Sequence, residues 1–163
     1  MTVWKWIGVF VLSIVLQTTI VPVITMFGIG PDLPLVALFF LALRTGHTPA
    51  IWVGFAMGLV QDLYSPSILG QNALSKTMAG FCAGFFNERM MRADFVVRLV
   101  LLGIVFIVHD LAFFIVQYSK SGGGPLSVLH ALAFSTLPRA LYSMLFALFP
   151  YVKEYFVGPS FRR

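Results

Sequence analysis

Residues 96–118, VVRLVLLGIVFIVHDLAFFIVQY, are apolar over a length that fits a lipid bilayer. A helix of roughly 20 apolar residues crosses the ~30 Å hydrocarbon core of a membrane. The ionisable residues of this stretch are Arg98 near its start and His109 and Asp110 in its middle. The stretch therefore predicts a transmembrane helix that carries polar side chains deep within the membrane.

The composition of the whole chain also indicates a membrane protein. Hydrophobic residues make up 59% of the 163 residues and charged residues 10%, whereas soluble domains have about 45–50% and about 25%. So few charges cannot cover the surface of a soluble protein, and 17 phenylalanines exclude a disordered chain. The net charge is +5, but no basic run exceeds Arg162-Arg163, so we expect no nucleic-acid partner. We predict an all-α, polytopic membrane helix bundle.

Five further apolar runs accompany this stretch and predict about six transmembrane helices in one integral membrane domain, residues 1–163. The predicted spans are residues 6–26, 33–43, 49–64, 70–87, 96–118 and 126–151. No small-residue cleavage site follows the first run, so we interpret it as an anchor rather than a signal peptide, with a kink at Pro22. Spans 33–43 and 49–64 are short, and the sequence leaves open whether they cross fully or form a re-entrant pair.

Basic residues fall mainly on one side of this arrangement. With the N-terminus in the cytoplasm, six crossings leave Lys120 in an outer loop and place eight basic residues on the inner side. The inner-side residues are Lys5, Arg44, Arg89, Arg92, Arg98, Lys153, Arg162 and Arg163. Because cytoplasmic loops carry an excess of Lys and Arg, we predict a multi-pass protein of the cytoplasmic membrane with both termini in the cytoplasm.

Two glycine pairs lie at a spacing that permits close helix packing. Gly54 and Gly58 belong to the third predicted span, and Gly80 and Gly84 to the fourth. Small residues four apart form a groove that lets another helix approach closely. Two interpretations stay open: packing of these two neighbouring helices on each other, or docking of a partner protein's transmembrane helix.

Five ionisable residues lie in or at the edge of predicted spans, namely Asp62, Lys76, His109, Asp110 and Arg139. Each costs roughly 3 kcal/mol or more at the bilayer centre, so we expect them to pair. Asp110 and Arg139 lie at the same predicted depth, ~18 Å from the inner edge, which predicts an ion pair. Lys76 and Asp62 both lie toward the outer side, and we expect Lys76 to reach Asp62. The charges serve either as a clasp that fixes helix register or as a proton or substrate path.

Signatures of catalysis and of metal binding are absent from the sequence. It has no G-x-S-x-G, no H-E-x-x-H, no P-loop and a single cysteine, Cys82. The three histidines, His47, His109 and His130, lie on separate segments without ligand spacing. We therefore predict a protein that is not an enzyme and has no catalytic residues, no cofactor and no metal site.

Residues 31–80 resemble the MreD family of rod-shape-determining membrane proteins in both motifs and their order. The residues that carry the resemblance are Pro31-Asp32-Leu33 and Leu35, Gly54-Phe55, Gly58-Leu59-Val60-Gln61-Asp62, Ser65-Pro66, Gly70-Gln71-Asn72-Ala73-Leu74-Ser75-Lys76 and Gly80. This resemblance implies a non-enzymatic scaffold subunit of the bacterial cell-elongation complex in the inner membrane. It implies the partners MreC, with its one membrane helix, the actin-like MreB and, indirectly, the peptidoglycan synthases, with membrane lipid around the bundle.

The fold of that family is similar to the substrate-binding S components of vitamin transporters, which supplies an alternative function. A small-molecule-binding membrane module needs a pocket with convergent polar side chains. The polar run Gln71, Asn72, Ser75 and Lys76 is the candidate pocket. A proton-coupled transporter is the weaker third class, because the spans hold few carboxylates and no internal repeat is visible.

Overall fold

The structure is a computed structural model that describes residues 3–25, 29–66, 68–86, 95–122 and 124–156. The described part of the chain is all-α, without a β-strand. Its helices are α1 (Val3–Thr19), α2 (Val21–Ile24), α3 (Leu33–Thr45), α4 (His47–Tyr64), α5 (Gln71–Phe85), α6 (Phe95–Ser121), α7 (Pro125–Ala131) and α8 (Leu137–Phe156). A π-helical segment, Leu132–Thr136, joins α7 to α8. Each of the six predicted ranges therefore contains a helix.

One described helix, Val96–Lys120, is by itself long and apolar enough to cross a membrane. The helices Trp6–Thr19 and Leu33–Thr45 are apolar but shorter. At 1.5 Å per residue the 13 residues of α3 measure about 20 Å, less than a ~30 Å hydrocarbon core. The number of helices that cross fully therefore stays a prediction. Whether spans 33–43 and 49–64 cross or form a re-entrant pair stays open.

Several residues used for the topology prediction fall where the structure gives no description. Asn87, Arg89, Arg92, Arg162 and Arg163 lie outside the described residues, as do the side chains of Lys5 and Lys153. The prediction of cytoplasmic termini therefore depends on the sequence alone.

The helix α3 lies at the centre of the bundle. It contacts α1, α4, α5, α6 and α8, and nearly all its side chains between Pro34 and Leu43 are buried. A helix that is apolar on every side is suited to such a position. Its two ends are fixed differently: Asp32 accepts a hydrogen bond from the Leu35 amide at 2.9 Å, and Gly46 ends it with a φ of +86°, which favours glycine. Because α4 begins at the next residue, α3 and α4 form a tight helical hairpin.

Two prolines lie where helices are interrupted, and the interruption near Pro22 is the one that the sequence predicts. Proline has no N–H to donate to the carbonyl four residues earlier. Accordingly α1 ends at Thr19, and Pro22 lies in the first turn of α2. Before Pro138 the helix widens into the π-helical segment, which is a known way to absorb a broken hydrogen-bond ladder.

The outward faces of the bundle are apolar. On α6 one exposed stripe consists of Val100, Ile104, Ile107, Leu111 and Ile115. Exposed apolar surface of this extent suits lipid or a partner helix rather than water. The arrangement puts polar side chains inside and apolar side chains outside, as a membrane protein requires.

Candidate functional site

Lys76 and Asp32 form a buried ion pair inside the bundle. The Lys76 Nζ atom lies 2.8 Å from Asp32 Oδ2, and the Lys76 side chain is completely buried. Asp32 caps α3 with its other carboxylate oxygen. The Asp32 backbone N–H donates to Ser143 Oγ of α8 at 3.1 Å. This single carboxylate residue therefore ties α3 to both α5 and α8.

His109 of α6 connects this pair to a second one. Its Nε2 atom lies 3.4 Å from Lys76 Nζ, and its Nδ1 atom lies 2.9 Å from Asp110 Oδ1. An ammonium group has donors but no acceptor. His109 Nε2 therefore accepts from Lys76, while Nδ1–H donates to Asp110, which describes a neutral imidazole between two charged side chains.

Asp110 is surrounded by three donors. Thr136 Oγ1 donates to Oδ2 at 2.7 Å, His109 Nδ1 donates to Oδ1 at 2.9 Å, and Arg139 Nη1 lies 3.4 Å from Oδ1. The structure thus brings Asp110 and Arg139 together, as their matched depth predicts. Their contact is nevertheless longer than the two bonds that Thr136 and His109 make.

These side chains form what we call the buried charge network: Asp32, Lys76, His109, Asp110 and Arg139. It runs from α3 through α5 and α6 to α8. Two carboxylates and two cations alternate along it around a neutral imidazole, so the formal charges cancel. Cancelling charges and hydrogen bonds are what make such groups tolerable inside a low-dielectric interior.

Asp62 has a different role from the expected one. It lies in the last turn of α4 and accepts hydrogen bonds from the backbone N–H groups of Gly70, Asn72 and Ala73 at 2.9, 3.0 and 3.1 Å. The Asn72 side chain adds a fourth at 2.9 Å. The first N–H groups of a helix lack intrahelical acceptors. At the start of α5 the Asp62 carboxylate is the acceptor. The expectation that Lys76 reaches Asp62 is wrong, because Lys76 pairs with Asp32.

The candidate pocket residues point mostly into the protein. Gln71 Nε2 donates to the Phe113 carbonyl at 2.9 Å, and Ser75 Oγ donates to the Gln71 carbonyl at 2.8 Å. Gln71, Ser75 and Lys76 are all buried. Of the four predicted residues, Asn72 lines the cavity described next.

A polar cavity of about 250 Å³ lies where the end of α2 meets the start of α3 and the end of α4 meets the start of α5. We call this space the polar cavity. It is lined by Gln17, Val21, Thr25, Gly30, Pro31, Asp32, Gln61, Ser65, Asn72, His109, Phe113 and Arg139.

The four glycines lie in the interface between α4 and α5, which run antiparallel. A Cβ atom added at Gly54 would lie 2.5 Å from the Lys76 carbonyl oxygen, and one at Gly80 would lie 2.6 Å from the Ala50 carbonyl oxygen. Added Cβ atoms at Gly58 and Gly84 would overlap the backbones of Ala73 and His47. Of the two interpretations, packing between neighbouring helices of the same chain is the one that the described residues display.

Sequence reasoning missed three members of this site. Asp32 stood out in the sequence only as part of Pro31-Asp32-Leu33, and neither Thr136 nor Ser143 was singled out. The signal for Asp32 was its position just before α3, which the predicted topology puts on the same side of the membrane as Lys76. Thr136 and Ser143 carry hydroxyl groups in an apolar run, which in a membrane helix need a partner.

Within the described ranges no group of His, Cys, Asp or Glu side chains could hold a metal ion. The network offers fixed, mutually hydrogen-bonded charges rather than an exposed reacting group. Its chemistry suits holding four helices in one register.

Comparison with known proteins gives one result. A family model described as rod shape-determining protein MreD matches residues 1–156 of the chain. No curated protein and no solved structure gives a significant match.

Proposed function

The chain belongs to the MreD family of rod shape-determining membrane proteins, and from that premise we propose that it is a non-enzymatic scaffold subunit of the bacterial cell-elongation complex. In this role it binds MreC in the cytoplasmic membrane and helps to position and regulate side-wall peptidoglycan synthesis. The observation that carries the proposal is the family match over nearly the whole chain. MreB and the peptidoglycan synthases are indirect partners.

The internal chemistry of the bundle supports a scaffold. The buried charge network joins α3, α5, α6 and α8, and the glycines join α4 to α5 at backbone contact distance. Both features favour a single, well-defined arrangement of helices. A defined outer surface is what a scaffold needs in order to present one face to a partner.

We place the MreC contact on the exposed stripe of α6. The glycine grooves are filled by helices of the same chain, so a partner helix has to use an outward face. The stripe Val100, Ile104, Ile107, Leu111 and Ile115 repeats every three or four residues and is rich in β-branched side chains. Such a spacing is that of a helix–helix seam.

The alternative function, a small-molecule module similar to a transporter S component, is not favoured. It needs the polar run of α5 to face an open pocket. Gln71, Ser75 and Lys76 are instead buried and hydrogen-bonded within the chain.

The experiment that tests the function is depletion of the protein in its own bacterium, followed by complementation with the full chain. We expect rods to become wide and round on depletion and to recover with the wild-type chain. Cells that keep their width and length without the protein would contradict the proposal.

Photo-crosslinking tests the placement of the partner. A photoreactive residue at Ile104, Ile107 or Leu111 should crosslink to MreC. The matched control is the exposed face of α5, at Leu74, Met78 and Phe81. Crosslinks to MreC from α5, with none from α6, would move the contact to another face.

A further inference from the structure

Arg139 is the member of the buried charge network that faces an open space. About 27% of its side chain is exposed, whereas the side chains of Lys76 and Asp110 are completely buried and that of Asp32 is 9% exposed. Arg139 also lines the polar cavity. The network is neutral as a whole, but the charge that it presents to this cavity is therefore chiefly the positive charge of the guanidinium.

The guanidinium has unused hydrogen-bonding capacity. Arginine carries five N–H donors in a rigid fork, and the described contact of Arg139 is one bond of 3.4 Å from Nη1 to Asp110. Asp110 has shorter bonds from Thr136 and His109, so Arg139 is not the donor on which that carboxylate chiefly depends. A partly buried guanidinium with donors to spare is suited to bidentate binding of an oxyanion.

A second group in the same cavity lacks a partner. Gln61 lines the cavity, and its Oε1 atom is buried without a hydrogen-bond donor among the described residues. A buried acceptor left unpaired is unfavourable. The last torsion of a glutamine side chain is broad, so a small rotation turns this oxygen toward a donor held in the cavity.

The position of the cavity indicates where its ligand comes from. The connections from α2 to α3 and from α4 to α5 border it on one side, which is where a membrane helix bundle meets lipid headgroups, and His109 and Arg139 line its deeper part. Its volume of about 250 Å³ equals roughly eight waters at ~30 Å³ each. That space accommodates a phosphate together with a short polar substituent.

We propose that the polar cavity binds a phosphate ester, with Arg139 holding the phosphate oxygens and Gln61 accepting a hydrogen bond from a hydroxyl or ammonium group of the same molecule. Asp32 also lines the cavity, but its oxygens are engaged by Lys76 at 2.8 Å and by the Leu35 amide at 2.9 Å. The same chemistry is offered by a phospholipid headgroup and by a free phosphate. This site is separate from the partner contact on α6 and does not depend on it.

The test uses the full-length protein, purified in detergent. Native mass spectrometry detects retained phospholipid, and thermal unfolding is measured after delipidation with added inorganic phosphate or with phosphatidylglycerol vesicles. Arg139→Gln should reduce the amount of retained phospholipid, and the stabilisation by added phosphate or vesicles, roughly 10-fold or more. The reason is that it removes a charge-assisted bidentate contact. Arg98→Gln, which removes the same charge elsewhere on the bundle, should leave the response unchanged.

Gln61→Glu supplies a second variant that leaves the buried charge network intact. Its carboxylate repels an anion, so it should also abolish the response. Retained phospholipid that depends on Arg139 and Gln61 identifies a lipid headgroup, and stabilisation by inorganic phosphate alone identifies a free phosphate. Equal responses in wild type, Arg139→Gln and Gln61→Glu, or none in the wild type, would overturn the proposal and leave a cavity that holds water only.

Discussion

Lys76 and Asp32 are 44 residues apart in the sequence, and their side chains meet at 2.8 Å inside the bundle. The pair joins the middle of α5 to the N-cap of α3, the central helix. Removing one partner of a buried ion pair is far more harmful than removing both, because the remaining charge is left without compensation. This contact is therefore the one whose loss should disturb the fold most.

The first prediction concerns this pair. Lys76→Met leaves the Asp32 carboxylate buried and unpaired, and we expect the protein to lose about 3–5 kcal/mol of stability. The measurements are the thermal unfolding temperature in detergent and the steady-state level in membranes. Adding Asp32→Asn should recover part of the loss, since asparagine still caps α3.

Lys120→Met is the matched control, because Lys120 is exposed at the end of α6. It should leave both measurements unchanged. A Lys76→Met protein as stable as the control would show that the ion pair contributes nothing to the fold.

The second prediction concerns Asp110 and Arg139. Asp110→Ala should lower the protein level more than Arg139→Ala does. Asp110 keeps its bonds from Thr136 and His109 when Arg139 is lost, whereas loss of Asp110 leaves three donors without their acceptor. The double change to Ala should be less harmful than the sum of the two single changes, because no unpaired charge remains.

Cell shape in the same strains separates the two interpretations of the charges. For a structural clasp, shape recovers in the double variant together with protein level. For a proton path, protein level recovers and shape does not. Strictly additive losses in the double variant would show that the two residues do not interact.

The third prediction concerns the glycines between α4 and α5. Gly58→Leu and Gly84→Leu force the two backbones apart, because even a Cβ atom at these positions overlaps the facing helix. We expect membrane levels to fall several-fold, since close packing takes the place of a hydrophobic driving force in lipid.

Gly8→Leu provides the control for this series. A Cβ atom at Gly8 meets nothing within 4 Å, so the level of this variant should match the wild type. Normal levels of Gly58→Leu and Gly84→Leu combined with loss of bound MreC would instead assign these glycines to a partner interface.

The fourth prediction concerns topology. In a Cys82→Ser background, an impermeant thiol reagent added outside the cell membrane should label Gly124→Cys and should not label Thr48→Cys. Both positions are exposed, and the predicted arrangement places them on opposite sides of the membrane. Labelling of Thr48→Cys alone would reverse the orientation.

The sequence allowed the helices to be predicted more fully than their contacts. Apolar run length predicted each helical range, and Pro22 predicted the break after α1, because these depend on local chemistry. The equal predicted depth of Asp110 and Arg139 in the membrane predicted that they pair. Depth along a helix says nothing about the direction in which a side chain points, and for that reason Lys76 was assigned to Asp62 rather than to Asp32.

Two other features could be predicted only in part. The π-helical segment Leu132–Thr136 changes the direction of every side chain it carries, so the approach of Thr136 to Asp110 is not available from a regular helical spacing. The glycine pairs predicted close approach, but the identity of the helix that fills the groove follows only from the antiparallel packing of α4 and α5.

The most direct test of the account is the identity of the proteins that co-purify with the tagged, full-length chain from gently solubilised membranes of its own bacterium. As a scaffold of the cell-elongation complex, it should bring down MreC in a defined ratio, and substitution of the α6 stripe should reduce that recovery. Recovery of an ATPase pair with a coupling subunit, and no MreC, would contradict the scaffold function. It would favour the alternative function, a small-molecule-binding component of a transporter.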